Sequence, residues 1–529
     1  MHGQFVIGQA QGPAHTLYSH RIDLKLSSLI KGLAILQISG DISGEVSSIC
    51  YDSRRCGESS LFVAIPGLRF DGHDYISDAA KRGARYIVHE KDMPAGLDIT
   101  MIKVEDSRRA MGVLGNIFFR NPSADLCVTG ITGTNGKTTV SYLLESIFKA
   151  AGFPVGVIGT VNYRFDGKKF PAPVTTPESL DLQEMLRRMV DSGITHAVIE
   201  VSSHSLDLKR VADCEFDRRI FTNLSQDHLD YHHTMERYFL TKKTFFEEAS
   251  DAGGKMIING DDPWGQRLFE ETGKKALTFG IENECDISAE NFYLTPEGIK
   301  GEIKTHNGNF TISSSIIGRF NLYNILTAAA AAFSLQIPED RIRAGIENLK
   351  KIPGRLEKVS EPGQPAVFID YAHTEDALKK VLSNLSAFRK GRIITVFGCG
   401  GDRDRGKRPL MGEIAATLSD LAIVTSDNPR NEDPLTIIGE IEKGIKGKTG
   451  ASIKKYLRED LTGSFHEKGY VIVPDRKAAV ELAIDVADVP DTVLIAGKGH
   501  EKYQITGDRR IFFDDGAVSR KALSMRNEK

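Results

Sequence analysis

Apolar positions along this chain gather into short runs, and amphipathic stretches separate them. From residue 126 the order is an apolar run, LCVTGIT (126–132), a glycine-rich turn, and TTVSYLLESIFKAAG (138–152). In the last of these, apolar side chains return every three or four residues. The run predicts a buried strand and the periodic stretch predicts a helix that covers it. VGVIG (155–159), HAVIEV (196–201), RIFTNL (219–224) and KMIING (255–260) predict further strands, with helical patterns between several of them. Such alternation implies a mostly parallel sheet covered on both faces. The alanine-rich stretch 326–335 predicts a close-packed helix. After KKIPGRLEKV (350–359) the alternation resumes through AVFIDYA, GRIITVFG, LAIVTSDNPR and DTVLIAGKG. Ahead of residue 126, SLFVAIPG (60–67) predicts a strand ending in a turn, and 73–90 a helix, a glycine stop and a strand. FRNPSADL (119–126), polar and carrying Pro122, reads as a linker. The whole pattern predicts an α/β chain with a mobile extension over 1–20 and units at 21–122, 123–353 and 354–529.

The 529 residues suit about three domains, at roughly 100–200 residues each. A formal net charge of −3 gives no basic field for nucleic acid. Six cysteines without a CxxC pair argue against a disulfide framework or a zinc site and suit a reducing compartment. No apolar run approaches the ~18–20 residues of a membrane span. The first basic residue is Arg21, so the start lacks the charge of a signal peptide. A cytosolic, multi-domain protein is expected.

Candidate chemistry sits at the turns that follow strands. GITGTNGKTT, Gly130 to Thr139, lies where backbone N–H groups and a helix N-terminus converge on phosphate oxygens. Lys137 would serve the β and γ phosphates, and Thr138 or Thr139 would hold Mg²⁺. The spacing departs from GxxxxGK[ST], since Ile131 occupies the first glycine position. Glu200 ends an apolar run at what reads as an exposed strand tip, a place for an Mg²⁺ ligand. The stretch 223–246 gathers Asp227, His228, Asp230, His232 and His233, but nothing completes a zinc site. For His232 and His233, surface polar residues are an equal reading. Arg403 and Arg430 follow strands in glycine- and proline-marked loops and can each grip a carboxylate bidentately. AGKGHEKYQ (496–504) is a third such loop, with Glu501 as a carboxylate for an amine.

Nine motifs now stand in order: TGTNGKTT (132–139), EVSSHSL (200–206), TNLSQDHLDYH (222–232), GRFNLYN (318–324), PGRLE (353–357), DYAHTEDAL (370–378), FGCGGDRDRGKRPLMG (397–412), DNPR (427–430) and AGKGHEKYQ (496–504). The set resembles the Mur ligases of peptidoglycan synthesis over roughly residues 40–515. The resemblance implies a three-domain architecture with a central P-loop ATPase domain and a Rossmann-like C-terminal domain. It implies a cytoplasmic, monomeric, ATP-dependent amide ligase with Mg²⁺ as cofactor, and no nucleic-acid or membrane partner. The implied substrates are UDP-N-acetylmuramoyl-L-alanyl-D-glutamate (UDP-MurNAc-L-Ala-D-Glu), meso-diaminopimelate and ATP, joined through an acyl phosphate.

By motif, Gly133, Thr134, Asn135, Gly136, Lys137, Thr138 and Thr139 resemble the family's ATP loop, with Asn321, Arg355 and Asp370 approaching ATP from elsewhere. Thr138, Glu200, His228 and Lys242 are similar to its metal ligands, with Lys242 matching its carbamylated lysine (N6-carboxylysine). Lys137, Glu200, His228 and Lys242 make up the implied catalytic set. Asp52, Ser53 and the loop Gly67 to Phe70 resemble the UDP-sugar site. Thr175, Thr176, Ser202 and Arg210 resemble residues that hold the sugar-peptide. Arg403, Asp427, Asn428, Pro429, Arg430, Gly497 and Glu501 resemble the diaminopimelate site.

Tyr51, Val174 and Leu208 depart from relatives that carry Leu, Asn and Gln there; this touches the sugar-peptide site, not the reaction class. The base for the incoming amine is not identified by any motif; His373 and Glu501 are candidates. One alternative is the lysine-adding ligase of the same step, in which the Arg of DNPR is typically replaced. Another is a folylpolyglutamate synthetase-like ligase, which has no reason to carry DNPR beside GDRDRGKRP. A binding protein without turnover would not need Lys137, Glu200, His228 and Lys242 together.

Overall fold

A computed structural model describes residues 24–67, 70–92, 98–247, 255–273, 275–448, 453–461, 465 and 467–527. The extension expected over 1–20, and Leu68 and Arg69 of the loop 67–70, lie outside the described residues.

The helix Lys137–Ala150 turns Val140, Leu143, Leu144, Ile147 and Phe148 to one face, and all five are fully buried. They meet the alanine-rich helix Arg319–Ser334 and the central sheet in one apolar cluster. Small alanine side chains let these helices approach closely. The sheet has eleven strands. Seven run parallel, in the order Val155–Ile158, His196–Glu200, Cys127–Thr132, Arg218–Phe221, Lys255–Asn259, Leu277–Gly280, Ile287–Thr295. The two edges depart from the parallel expectation. Tyr163–Phe165 and Lys168–Phe170 form a hairpin on one side, and Gly298–Thr305 and Gly308–Ser314 extend an antiparallel meander on the other. In the meander, buried and exposed residues alternate, the mark of a sheet with one wet face.

A second sheet of seven strands is parallel except at the edge strand Glu357–Lys358. It orders Ala366–Asp370, Thr492–Ala496, Ile393–Phe397, Leu421–Val424, Gly469–Ile472 and Lys454–Lys455. A third sheet, of five strands, carries Ile35–Ser39 and Ser48–Cys50 at its edges. The segment expected to be a linker is instead a packed corner. Phe119 and Leu126 are buried, Pro122–Asp125 forms a 3₁₀ turn, and Arg120 and Asn121 both adopt positive φ. Among the described residues, no helix is long and apolar enough to cross a membrane. The carboxyl ends of the first two sheets face a common space, where open α/β sheets bind ligands.

Candidate active site

The phosphate loop follows the strand Cys127–Thr132. Gly133 has φ +140° and Gly136 φ +94°; a Cβ on either would come within 2.0 Å of Thr222 Oγ1 or 2.4 Å of Asn324 Oδ1. Only glycine fits there. The loop is braced from the next strand: Asn223 O accepts from Thr134 N at 2.9 Å, and Asn135 N donates to Asn223 Oδ1 at 3.0 Å. No side chain caps the helix that begins at Lys137, so its first-turn N–H groups are open to an anion. Lys137 Nζ folds across the loop onto Gly133 O and Thr134 O, at 2.7 and 2.8 Å. Burial lowers its pKa.

Glu200 ends its strand, but not at an exposed tip as expected: it is 1% exposed. Its carboxylate accepts from Thr138 Oγ1 (2.9 Å), Thr160 Oγ1 (2.8 Å), Thr160 N (3.2 Å) and Ser141 Oγ (3.3 Å). Burial is tolerated because hydroxyls and a backbone N–H replace water. Arg355 Nη2 reaches Thr138 Oγ1 at 3.3 Å and brings the third unit to the loop.

Lys242 is buried and donates to Gly133 O at 3.1 Å and Thr132 Oγ1 at 3.3 Å. Burial, then the Lys137 charge, push its pKa far below the usual lysine value. Lys243 points outward and pairs with Glu271 at 2.9 Å and Glu247 at 3.3 Å. His228 takes φ +54°, with Nε2 3.4 Å from Asp227 Oδ2. Burial lowers its pKa to about 4. His233 is exposed. His232 is not a surface residue: it is buried, 2.9 Å from Ser203 Oγ and stacked on Tyr238.

Thr175, Thr176, Ser202 and Arg210 gather beside Glu200. Thr176 Oγ1 donates to Glu200 O at 2.7 Å and accepts from Ser202 N at 3.2 Å. Thr175 Oγ1 lies 3.1 Å from Thr160 Oγ1. Arg210 donates to Thr176 O and pairs with Glu178, while its buried Nε, like that of Arg355, has no hydrogen-bond partner among the described residues. Ser53 sits apart, in a 3₁₀ turn of the five-stranded sheet whose N-cap is Asp52.

At the second sheet, Asp427, Asn428, Pro429, Arg430, Gly497 and Glu501 converge with Arg403. Arg430 takes φ +52°, and its Nη1 donates to Gly401 O at 2.7 Å. Burial, then neighbouring Arg403, lower its pKa. Asn428 Nδ2 donates to Glu501 Oε2 at 3.1 Å. Burial, then Asp427, raise the Glu501 pKa. Burial works against the Asp427 carboxylate, but Lys498 and Arg476 outweigh it and hold its pKa down.

A cavity of about 600 Å³ joins the two sheets, walled by the phosphate loop, Thr175, Ser202, His228, Lys242, Arg355 and Tyr371 to Thr374. Asn321 does not reach its wall. Its amide is spent on Ile317 O and Asn324, while Arg319, Phe320, Tyr323 and Asn324 line the space. Asp370 lines it, yet its oxygens accept the N–H groups of Leu356 and Ala372, each at 2.7 Å, and thus clasp the PGRLE and YAHT loops. Residues not singled out from sequence also matter. Thr160 holds Glu200. Asp376 accepts from Asn135 (3.1 Å) and Ser225 (2.8 Å) across the two units. Lys498, in the GKGHE loop, pairs with Asp427 at 3.1 Å. Only the glycine-flanked lysine had a visible sequence signal.

Family models match three successive stretches: "Mur ligase family, catalytic domain" at 45–118, "Mur ligase middle domain" at 131–332, and "Mur ligase, glutamate ligase domain" at 354–499. The chain belongs to the Mur ligase family. Within it, a Geobacter metallireducens protein named UDP-N-acetylmuramoyl-L-alanyl-D-glutamate–2,6-diaminopimelate ligase is 46% identical over 93% of this chain and 97% of its own. One of the same name from Clostridium perfringens is 43% identical over 93% and 98%. A solved structure of that name aligns at TM-score 0.67 and 28% identity, over 96% of this Mur ligase and all of the other chain. A Mycobacterium tuberculosis folylpolyglutamate synthase with ADP aligns at TM-score 0.61 and 16% identity, over 78% of this chain and 94% of its own, and shares the fold alone.

Proposed function

We propose that this Mur ligase joins meso-diaminopimelate to the D-glutamyl carboxylate of UDP-MurNAc-L-Ala-D-Glu at the expense of ATP, as a monomer in the cytoplasm. One observation carries the reading. The phosphate loop, Thr175 and Ser202 line one inter-sheet cavity, and its wall residue Tyr371 packs against Gly499 in the loop that carries Glu501, so a nucleotide, a carboxylate and an amine can meet there. The names of full-length relatives support the choice of substrates.

A carboxylate resists amines because its oxygen leaves poorly; phosphorylation by ATP turns it into an acyl phosphate that the amine can displace. The loop N–H groups and Lys137 hold and neutralise the transferring phosphoryl group. Arg355, already on Thr138, adds charge from the third unit. Thr175, Thr176 and Arg210 orient the accepting carboxylate. The base for the amine is Glu501 or His373, the former with its pKa raised by burial. The inter-sheet position keeps water from the acyl phosphate.

Mg²⁺ fits the donors present. Thr138 Oγ1 and Glu200 already meet at 2.9 Å, and both offer the oxygen this ion prefers. His228 stands as a further donor. Among the described residues no three His, Cys, Asp or Glu side chains form a metal cluster, so the ion would be held by these few side chains together with the nucleotide. Bound there, Mg²⁺ would offset phosphate charge. Lys242 suits carbamylation: a neutral amine adds to CO₂ and releases a proton, and the resulting anion replaces a buried ammonium.

A phosphate-release assay with UDP-MurNAc-L-Ala-D-Glu, ATP and one amino acid at a time tests this. Release should need meso-diaminopimelate. Release with lysine in preference, or with no amino acid of the set, overturns the proposal.

A further inference from the structure

Cys50 and Cys56 are six positions apart in sequence, with nothing there to pair them. In the structure their Sγ atoms are 2.7 Å apart. Cys50 closes the strand Ser48–Cys50 and is 4% exposed; Cys56 follows the turn Ser53–Arg55 and is half-buried. Between them lie Asp52 and Ser53. The same turn is moored to the central unit through Asp181, which accepts from the Tyr51 hydroxyl and lies 3.4 Å from Arg55 Nη1. Each thiol also has a weak backbone acceptor in reach: Leu61 O on the neighbouring strand, 3.7 Å from Cys50, and Asp52 O, 3.9 Å from Cys56.

The other four cysteines differ. Among the described residues none has a second cysteine within hydrogen-bonding distance. Burial raises their pKa values, to about 11 for Cys127 and Cys285 and about 12 for Cys214 and Cys399. Cys56 alone has its pKa lowered, chiefly by the hydrogen bond from Cys50. A partly exposed thiol of lowered pKa, held against a second thiol, is the arrangement that exchanges with disulfides.

We propose that Cys50 and Cys56 form a reversible dithiol–disulfide pair whose closure weakens docking of the nucleotide-sugar substrate. The second half rests on the reading of Asp52 and Ser53 as part of that site; the first half does not. The oxidant is a low-molecular-weight disulfide, R–S–S–R. Cys56 thiolate attacks one sulfur and expels RS⁻. Cys50, losing its proton, attacks the Cys56 sulfur of the mixed disulfide and expels the second RS⁻. Two protein thiols are oxidised, R–S–S–R is reduced, and the two thiol protons end on two RSH. Closure removes both thiol donors, so Leu61 O and Asp52 O lose these contacts, and the turn that presents Asp52 and Ser53 is remade.

The test incubates the full-length protein with oxidised glutathione, alkylates free thiols, and maps tryptic peptides. Gly32–Arg54 and Cys56–Arg69 (with or without Arg55) should appear joined and separate on reduction, with the other four cysteines alkylated. KM for UDP-MurNAc-L-Ala-D-Glu should rise about threefold or more at unchanged kcat and recover with reductant. Cys50→Ser and Cys56→Ser should show neither effect. Separate alkylation of Cys50 and Cys56, or linkage to other cysteines, overturns the pair. A joined pair with unchanged KM overturns the docking role. If the reduced enzyme makes no product with any amino acid, the proposed reaction fails instead, and the peptide map still decides the pair.

Discussion

Arg430→Ala should weaken diaminopimelate binding far more than it slows chemistry. Arg430 is half-buried, one nitrogen is spent on Gly401 O, and its charged neighbour Arg403 is another cation. Among the described residues neither arginine makes an ion pair with a carboxylate. Asp427, Glu501 and Asp402 lie near enough to act on Arg430 but form no ion pair with it, so its guanidinium is left for the second carboxylate that meso-diaminopimelate would bring and lysine would not. A charge-assisted hydrogen bond contributes ~1.5–3 kcal/mol, and removing one partner of a buried charge pair costs ~2–5 kcal/mol. Taking about 3 kcal/mol, KM for diaminopimelate should rise on the order of 150-fold. Wild-type enzyme should favour diaminopimelate over lysine at least ~100-fold, and the variant should lose most of that preference. Arg430→Lys should fall between, keeping charge but not the planar fork. Steady-state phosphate release gives KM and kcat, and mass spectrometry of products from a mixture of both amino acids gives the preference. Wild type consuming lysine as readily, or a variant with reduced kcat and unchanged KM, would refute the reasoning.

Lys137→Ala should abolish turnover; two hydrogen bonds of ~1 kcal/mol each are lost, so thermal unfolding should shift by a few degrees only, and near-normal activity would remove the ATP-site assignment. Lys242→Ala should be inactive and partly rescued by formate or acetate. Lys243→Ala loses surface pairs worth ~0–1 kcal/mol and should stay active; equal loss in both without rescue sinks the carbamate. The Glu432 pKa is lowered to about 2 by Arg408 and then the Asp402 N–H, from an ordinary 4.5. A lowered native pKa gives stability that is complete above pH 4.5 and lost as pH falls towards 2, so in denaturant titrations Glu432→Gln should flatten that part of the stability profile.

Sequence reasoning located what local pattern controls. The glycine-rich turn at 133–136 was legible because strand, glycines and amphipathic helix are contiguous, and Lys242 differs from Lys243 by the 100° of one helical step. Three-dimensional pairings were not. The strand Gly298–Thr305 mixes buried and exposed positions in a polar stretch with no apolar run to mark it. Glu200 reads as exposed until Thr138 and Thr160, from other segments, supply its hydrogen bonds. His232 reads as polar surface until Tyr238 covers it. Asn321 falls on the buried side of its helix, a turn of phase that motif position alone does not give. Asp376 touches the phosphate loop only because two sheets face each other.

The hairpin Tyr503–Thr506 and Arg509–Phe512 holds residue 430 by its main chain. Arg430 N donates to Ile505 O at 3.1 Å, and Gly507 N donates to Arg430 O at 2.7 Å. Neither bond involves the guanidinium. The grip fixes where a side chain is presented and is indifferent to which one. Selection could therefore alter the amino acid this ligase accepts by changing one codon, with the scaffold left standing. The left-handed φ of +52° limits the choice, since β-branched replacements fit it poorly and asparagine, aspartate or glycine fit it well. The repertoire of substrates open to descendants of this chain is set as much by that backbone angle as by the chemistry of the pocket.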